Sequence, residues 1–300
     1  MDPNNIDENK ARVLVQDIAE QRILTKYAPL HLATITESNA WQQGRIYPMY
    51  LGVPANLRLI HNAPNGIEEV VMAVQGILVG KDLPPVRNVK KAKPTFLKQS
   101  VEICGFGSAL FEEAVLTIED INGVLARQVA ENTLDGVTIV GSYGAWNTLN
   151  IGNRYFTAKN AAQGEARIAF DSGVDDGGQL EAIGGETHLH LEENQVRYYE
   201  RKVITGETVY EKTTPIIFKK GDVVEVKLSL MLVKIVSKGE ERYRTVAILR
   251  SLTLLDGTLS EELRWAGQQR RIKGSNVTPG LKRRVDYEEE MEGSKRMAIE

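Results

Sequence analysis

Residues 221–257, GDVVEVKLSLMLVKIVSKGEERYRTVAILRSLTLLDG, decide the fold class. Val224, Val226, Leu228, Leu230 and Leu232 recur at every second position, the period of a strand with one buried face. A second long run of β-branched and apolar residues follows Glu241, and the polar stretch Lys238–Glu241 between them reads as a turn. The pair is a hairpin, and its apolar face belongs in a core.

The same rhythm extends upstream. From Gly136 onward, GVTIVGSYG, NRYFTAK, EARIAFD, THLHLEE, QVRYYERKV and ETVYEKT read as strands parted by Gly, Asn and Asp. So many short strands leave edges that must be paired or covered. The expected fold is α+β, mostly antiparallel β: a barrel or jelly-roll-like sandwich with a few flanking helices. Nearer the N-terminus, an amphipathic helix is expected over 11–27. Strands are expected at LHLATIT, GRIYPMYL and LRLIHN, and a second helix over Gly66–Leu78, with Asn65 as its cap and Glu68 and Glu69 in its first turn. A further helix is expected from Thr117, with Thr117–Asp120 as a capping-type start. The segment 81–96, KDLPPVRNVKKAKPTF, holds three prolines and five basic residues and reads as an extended surface connection. It divides a mixed region, 1–93, from a β-rich domain, 94–263, and a charge-segregated tail follows at 264–300.

The composition narrows the function classes. A net charge of -3 means that attraction to nucleic acid must come from local patches. The single cysteine, Cys104, excludes an intramolecular disulfide and any multi-cysteine zinc finger, and points to a reducing compartment. MDPNNIDENKARVLVQ lacks the basic and apolar regions of a secretory signal. No apolar stretch approaches the ~20 residues of a membrane-spanning helix, so no membrane partner is expected.

Two basic segments stand out in the body. Arg87, Lys90, Lys91, Lys93 and Lys98 surround Phe96, and the hairpin carries Arg242, Tyr243 and Arg244. Cations for phosphate beside an aromatic ring for a base are what a single strand requires. Nucleic-acid contact is therefore assigned to Arg242, Tyr243, Arg244, Lys90, Lys91 and Lys93, against the plainer reading that they are outward-facing strand residues. In the tail, Arg270 and Arg271 are separated by ten residues, 272–281, from Lys282, Arg283 and Arg284. That is the pattern of a bipartite nuclear-import signal read by an import adaptor. Asp286, Glu288, Glu289, Glu290 and Glu292 follow, and would partly neutralise the basic field.

The stretches FKKGDVVEVKLSLMLVKIV and YRTVAILRSLTLLDGT, within about residues 216–258, resemble the C-terminal part of uncharacterised, multicopy proteins of mushroom-forming fungi. The resemblance implies a fungal, eukaryotic source, in which a nuclear address makes sense. It supplies no catalytic motif.

Chemical constellations are few. In GGETHLHLEEN, Glu186, His188, His190 and Glu192 alternate, so on a strand all four share a face and suit a divalent metal. No later histidine completes a cupin-like set, because the other two, His31 and His61, lie upstream. GFGSAL lacks the third glycine of a dinucleotide fingerprint, and GSYGAWN is no nucleophile elbow. GVDDGG has too few spaced acids for a calcium loop and reads as a hairpin turn. No cofactor is expected unless the His pair takes a divalent metal. The leading expectation is a nuclear, non-enzymatic protein that binds nucleic acid or a chromatin partner. The alternatives are a metal-dependent enzyme using the His-x-His strand and a capsid-like protein that self-assembles into homo-oligomers.

Overall fold

The computed structural model describes residues 6–25, 30–86, 93–135, 138–162, 164–237 and 239–274. It opens with helix α1 (Glu8–Ile23), strand β1 (Leu30–His31), the short helix α2 (Asn39–Gln42), and strands β2 (Ile46–Leu51), β3 (Asn56–Ala63), β4 (Gly66–Glu69) and β5 (Met72–Asp82). Strand β6 (Lys98–Cys104), helix α3 (Ala109–Ala126), and strands β7 (Val140–Tyr143), β8 (Trp146–Arg154) and β9 (Thr157–Ala158) follow. The rest comprises α4 (Gln179–Gly184), β10 (His188–Leu189), β11 (Arg197–Ile204), β12 (Glu207–Lys212), β13 (Val223–Ser237), β14 (Glu240–Asp256) and α5 (Thr258–Gly274). The fold is α+β and mostly strand, as expected.

Five strands close on themselves. β5 pairs antiparallel with β6, β6 with β8 and β13 with both β14 and β5, while the parallel pair β8–β14 completes the ring. Closure removes the free edges that an open sheet of these strands would expose. The expected hairpin is its longest element, and Val224, Val226, Leu228, Leu230 and Leu232 are each at most 1% exposed. Burying each such side chain contributes about 1.5–3 kcal/mol, which makes this face the principal apolar contribution of the hairpin. The barrel is extended by β3 and β2 beside β13, and by β11 and β12 beside β14.

Two clusters pack the body. One joins Val74, Leu78, Ile103, Leu149, Val226 and Leu249 of the barrel to Phe111, Ile118, Ile121 and Leu125 of α3. The other holds α1, through Val15 and Ile18, against Ile77, Val79, Phe106 and Leu255. A buried polar chain fastens the same helix. Arg22 donates to both carboxylate oxygens of Glu225 at 2.6 and 2.9 Å, Gln75 donates to Glu225 at 2.8 Å, and His31 lies 2.6 Å from Gln75. Burial would push the Glu225 carboxyl up, but the Arg22 guanidinium holds it below the ordinary range.

Several local expectations are corrected. Residues 66–78 form β4 and β5, not a helix. Both faces of β5 are covered, so its apolar run loses the strand alternation, and Asn65–Gly66 is a hairpin signal: Ala63 pairs with Gly66, whose φ is 131°. In LHLATIT only two residues are strand, and Leu32–Glu37 form a buried 3-10 turn. Helix α3 begins eight residues before Thr117, which is buried in its third turn rather than at its cap. EARIAFD has no strand. The stretch 81–96 joins neighbouring strands of one sheet, so no boundary between bodies falls at 93. The compact units are 1–263 and 264–300. Among the described residues no helix is long and apolar enough to cross a membrane.

Candidate nucleic-acid interface

The connection from β5 to β6 ends in a tight turn. Pro94, with φ preset by its ring, starts the 3-10 turn Pro94–Phe96. That turn leaves Phe96 73% exposed. Two contacts hold it. Thr95 Oγ1 lies 3.1 Å from His188 Nε2, and the Tyr155 N–H donates to the Leu97 carbonyl at 3.1 Å. Immediately beyond, the β6–β8 register sets Lys98 opposite Arg154. Lys93 and Lys159 are exposed on the flanking segments, and the Lys159 N–H donates to the Thr187 carbonyl, beside the β9–β10 pair.

Among the described residues, none of Lys93, Lys98, Arg154 and Lys159 forms an ion pair, although most basic side chains on the strands do. Like charges directly opposite each other on adjacent strands repel. The Lys98–Arg154 pair thus holds an electrostatic cost that an anion laid across β6 and β8 would relieve. Phe96 offers a ring face to whatever carries that anion. Of the predicted residues, Lys93 is in this patch, and Lys90 and Lys91 lie outside the described residues. Arg154 and Lys159 were missed because NRYFTAK, although it sets two cations about two aromatic residues, reads as an ordinary strand; the register then brings Arg154 opposite Lys98.

The hairpin tip is built differently. Arg242 Nε donates to Asp135 Oδ1 at 2.6 Å, and Arg244 Nη2 to Oδ2 at 3.2 Å. The Asp135 N–H donates to the Tyr243 carbonyl at 2.7 Å, and the Tyr243 N–H to Thr133 at 2.8 Å, so the segment before Asp135 is pinned along β14. The Arg242 guanidinium, with Arg244 beside it, holds the Asp135 carboxyl below the ordinary range. Lys234 is paired with Glu241 at 2.5 Å. Within β14 the side chains alternate, so Arg242 and Arg244 share one face and one carboxylate, while the Tyr243 ring lies on the other face, opposite Lys234.

The four alternating residues of THLHLEE do not converge. Strand β10 ends after Leu189, so the shared-face geometry is lost. His190 is 3% exposed, donates Nδ1–H to the Tyr155 carbonyl at 2.8 Å and stacks on Phe170 with ring centroids 4.0 Å apart. Its burial pushes the imidazole pKa down. His188 faces Thr95 and Thr187. Glu192 pairs with Arg197 at 3.1 Å, and Glu186 is exposed. Among the described residues no three His, Cys, Asp or Glu side chains are placed to hold a metal ion. Cys104 is buried, which pushes its thiol up to about 11 and leaves it inert. GVDDGG leads into α4 rather than turning a hairpin: Asp175 accepts from the Leu180 and Glu181 N–H groups at the start of that helix, and Asp176 accepts from the Gly173 N–H within the loop. Arg270 and Arg271 stand on the α5 backbone, while Lys282, Arg283 and Arg284 lie outside the described residues.

A five-stranded Greek-key barrel closed through one parallel pair has the OB architecture. No family model matches the chain, and no curated protein matches it. Among solved structures it is similar to gp2.5, a single-stranded DNA-binding protein encoded by bacteriophage T7, with a TM-score of 0.35 and 12% identity over 71% of this chain and 100% of that one. It is also similar to a single-stranded DNA-binding protein from bacteriophage Enc34, with a TM-score of 0.29 and 8% identity over 70% of this chain and 89% of that one. Both likenesses are shallow and concern the fold at most.

Proposed function

We propose that this protein binds single-stranded nucleic acid across β6 and β8, with Lys93, Lys98, Arg154 and Lys159 meeting phosphates and Phe96 stacking on a base. The observation that carries the reading is the opposed, unneutralised Lys98–Arg154 pair beside a ring that is 73% exposed. An OB barrel takes oligonucleotides on its second and third strands and on the loops joining its first to its second strand and its fourth to its fifth; here the strands are β6 and β8, and the loops are the β5–β6 connection that ends at Phe96 and the β13–β14 turn. Single strands are favoured over duplex because stacking on Phe96 needs an exposed base face.

Fluorescence anisotropy with a labelled single-stranded oligonucleotide, titrated across a salt series, tests the reading. Binding with a steep salt dependence, weakened by Lys98→Glu and by Phe96→Ala, supports it. Absence of binding at low salt by the full chain defeats it. In the same reading the clusters Arg270–Arg271 and Lys282–Arg284 serve nuclear import, which the ten-residue spacer 272–281 supports. A reporter fused to residues 264–300 that stays in the cytoplasm of a eukaryotic cell counts that part out.

A further inference from the structure

A cleft of about 490 Å³ opens over β11, β14 and β13. Its volume lies within the range of small-molecule sites. The register lays three of its side chains in a row. Arg197 on β11 is opposite Ser251 on β14, and Ser251 is opposite Lys227 on β13. Adjacent strands lie ~4.8 Å apart and in-register residues share a face, so a guanidinium and an ammonium flank a central hydroxyl.

The availability of these groups distinguishes the row from ordinary surface charge. Arg250, at the wall, is consumed: it binds Glu69 at 2.7 Å and Glu193 at 2.8 Å, with Arg58 completing the ring against the same two carboxylates. Arg197 is oriented by Glu192 at 3.1 Å and by Gln195. Lys227 is half-buried and, among the described residues, has no ion pair, and the Ser251 hydroxyl has no hydrogen-bond partner there. Val53, Leu191 and the Tyr199 ring supply apolar wall beside the Lys227 ammonium and the Ser251 hydroxyl, while Arg197 shares its charge with Glu192.

We propose that the cleft binds a small organic anion, a carboxylate or phosphate monoester on an apolar body, with its charged group on Ser251 between Lys227 and Arg197. Glu192 is paired with Arg197, and Glu69 and Glu193 with Arg250, which leaves Lys227 as the cation of the lining without an ion pair among the described residues. None of Lys93, Phe96, Lys98, Arg154 and Lys159 lines the cleft, so this proposal does not depend on the nucleic-acid reading.

Isothermal titration calorimetry of the full chain with phenyl phosphate, benzoate and neutral benzyl alcohol tests the assignment. One-to-one binding of either anion, with no heat from the alcohol, is expected. Lys227→Met weakens it about tenfold or more, the loss of one charge-assisted contact, Lys227→Arg retains it, and Lys219→Met, an exposed lysine outside the cleft, leaves it unchanged. Amide chemical shifts of the unmodified chain provide a readout independent of any variant's folding: phenyl phosphate should move Lys227, Ser251 and Arg197 before other residues. No saturable binding of either anion, equal loss in the Lys219 variant, or shifts centred elsewhere overturns the proposal. Carboxylate and phosphate are separated by which probe binds more tightly.

Discussion

The hairpin tip and the β5–β6 turn have nearly the same local composition, two or more cations around one aromatic ring, yet the fold gives them opposite electrostatics. At the tip, Asp135 arrives from 109 and 107 residues upstream of Arg244 and Arg242 and satisfies both. Beside the turn, Arg154 arrives from 56 residues downstream of Lys98 and adds a second cation where pairing would need a carboxylate. Tyr243 is half-buried and locked into backbone pairing, whereas Phe96 projects to solvent. The comparison teaches that a basic and aromatic segment is a binding element only when its long-range partners leave it unneutralised.

The strongest test reverses charge on both sides. Lys98→Glu combined with Arg154→Glu should lower single-strand affinity on the order of a hundredfold at low salt and flatten the salt dependence by about two phosphate contacts. Arg242→Glu combined with Arg244→Glu should change affinity far less. Equal losses from the two pairs would erase the distinction between the regions. Next in size, Phe96→Ala should weaken single-strand binding by roughly tenfold, within the ~1–3 kcal/mol typical of base stacking, while leaving thermal stability unchanged because the ring is 73% exposed. Tyr243→Ala should do the reverse, lowering the melting temperature with little effect on affinity.

How much of this was legible follows from which contacts are local. The hairpin 221–257 was readable because alternation and a polar turn are properties of adjacent residues, and its buried face is the one expected. Strand β5 was not, because covering both faces removes the alternation that distinguishes a strand from a buried helix. The site was half legible. Lys93, Lys98 and Phe96 are contiguous and their chemistry is plain in the sequence, but Arg154 and Asp135 act only through register and packing. The histidine pair erred for the same reason: alternate positions share a face only while the strand continues, and β10 stops at Leu189.

A smaller effect should come from unmasking the hairpin tip. Asp135→Asn keeps the shape of the side chain but removes the charge that Arg242 and Arg244 share. Single-strand affinity should rise a few-fold at low salt, with a steeper salt dependence, as the two guanidinium groups become available to phosphate. An unchanged salt dependence would mean that the tip is closed to nucleic acid by shape, and that neutralisation is not what separates the two regions.

Acid should separate them most finely. Beneath the turn, His190 is held neutral by burial, with its pKa below the ordinary value of about 6.5. The unfolded chain then binds a proton that the folded chain does not, so this support is fully present above pH 6.5 and is lost as pH falls below that value toward the lower folded pKa. At the tip the sign is the carboxylate's: Asp135, held below its ordinary range by Arg242, keeps its full contribution above the ordinary carboxylate value of about 3.9 and so throughout the interval from pH 7 to pH 5. Hydrogen-exchange protection factors between pH 7 and pH 5 should therefore decline at the Tyr155 amide, which donates to Leu97, before they decline at the Tyr243 amide, which donates to Thr133. His190→Asn should flatten the Tyr155 profile and leave that of Tyr243 alone. A Tyr155 amide whose protection is as insensitive to acid as that of Tyr243 would show that the His190 packing does not hold the binding turn in place.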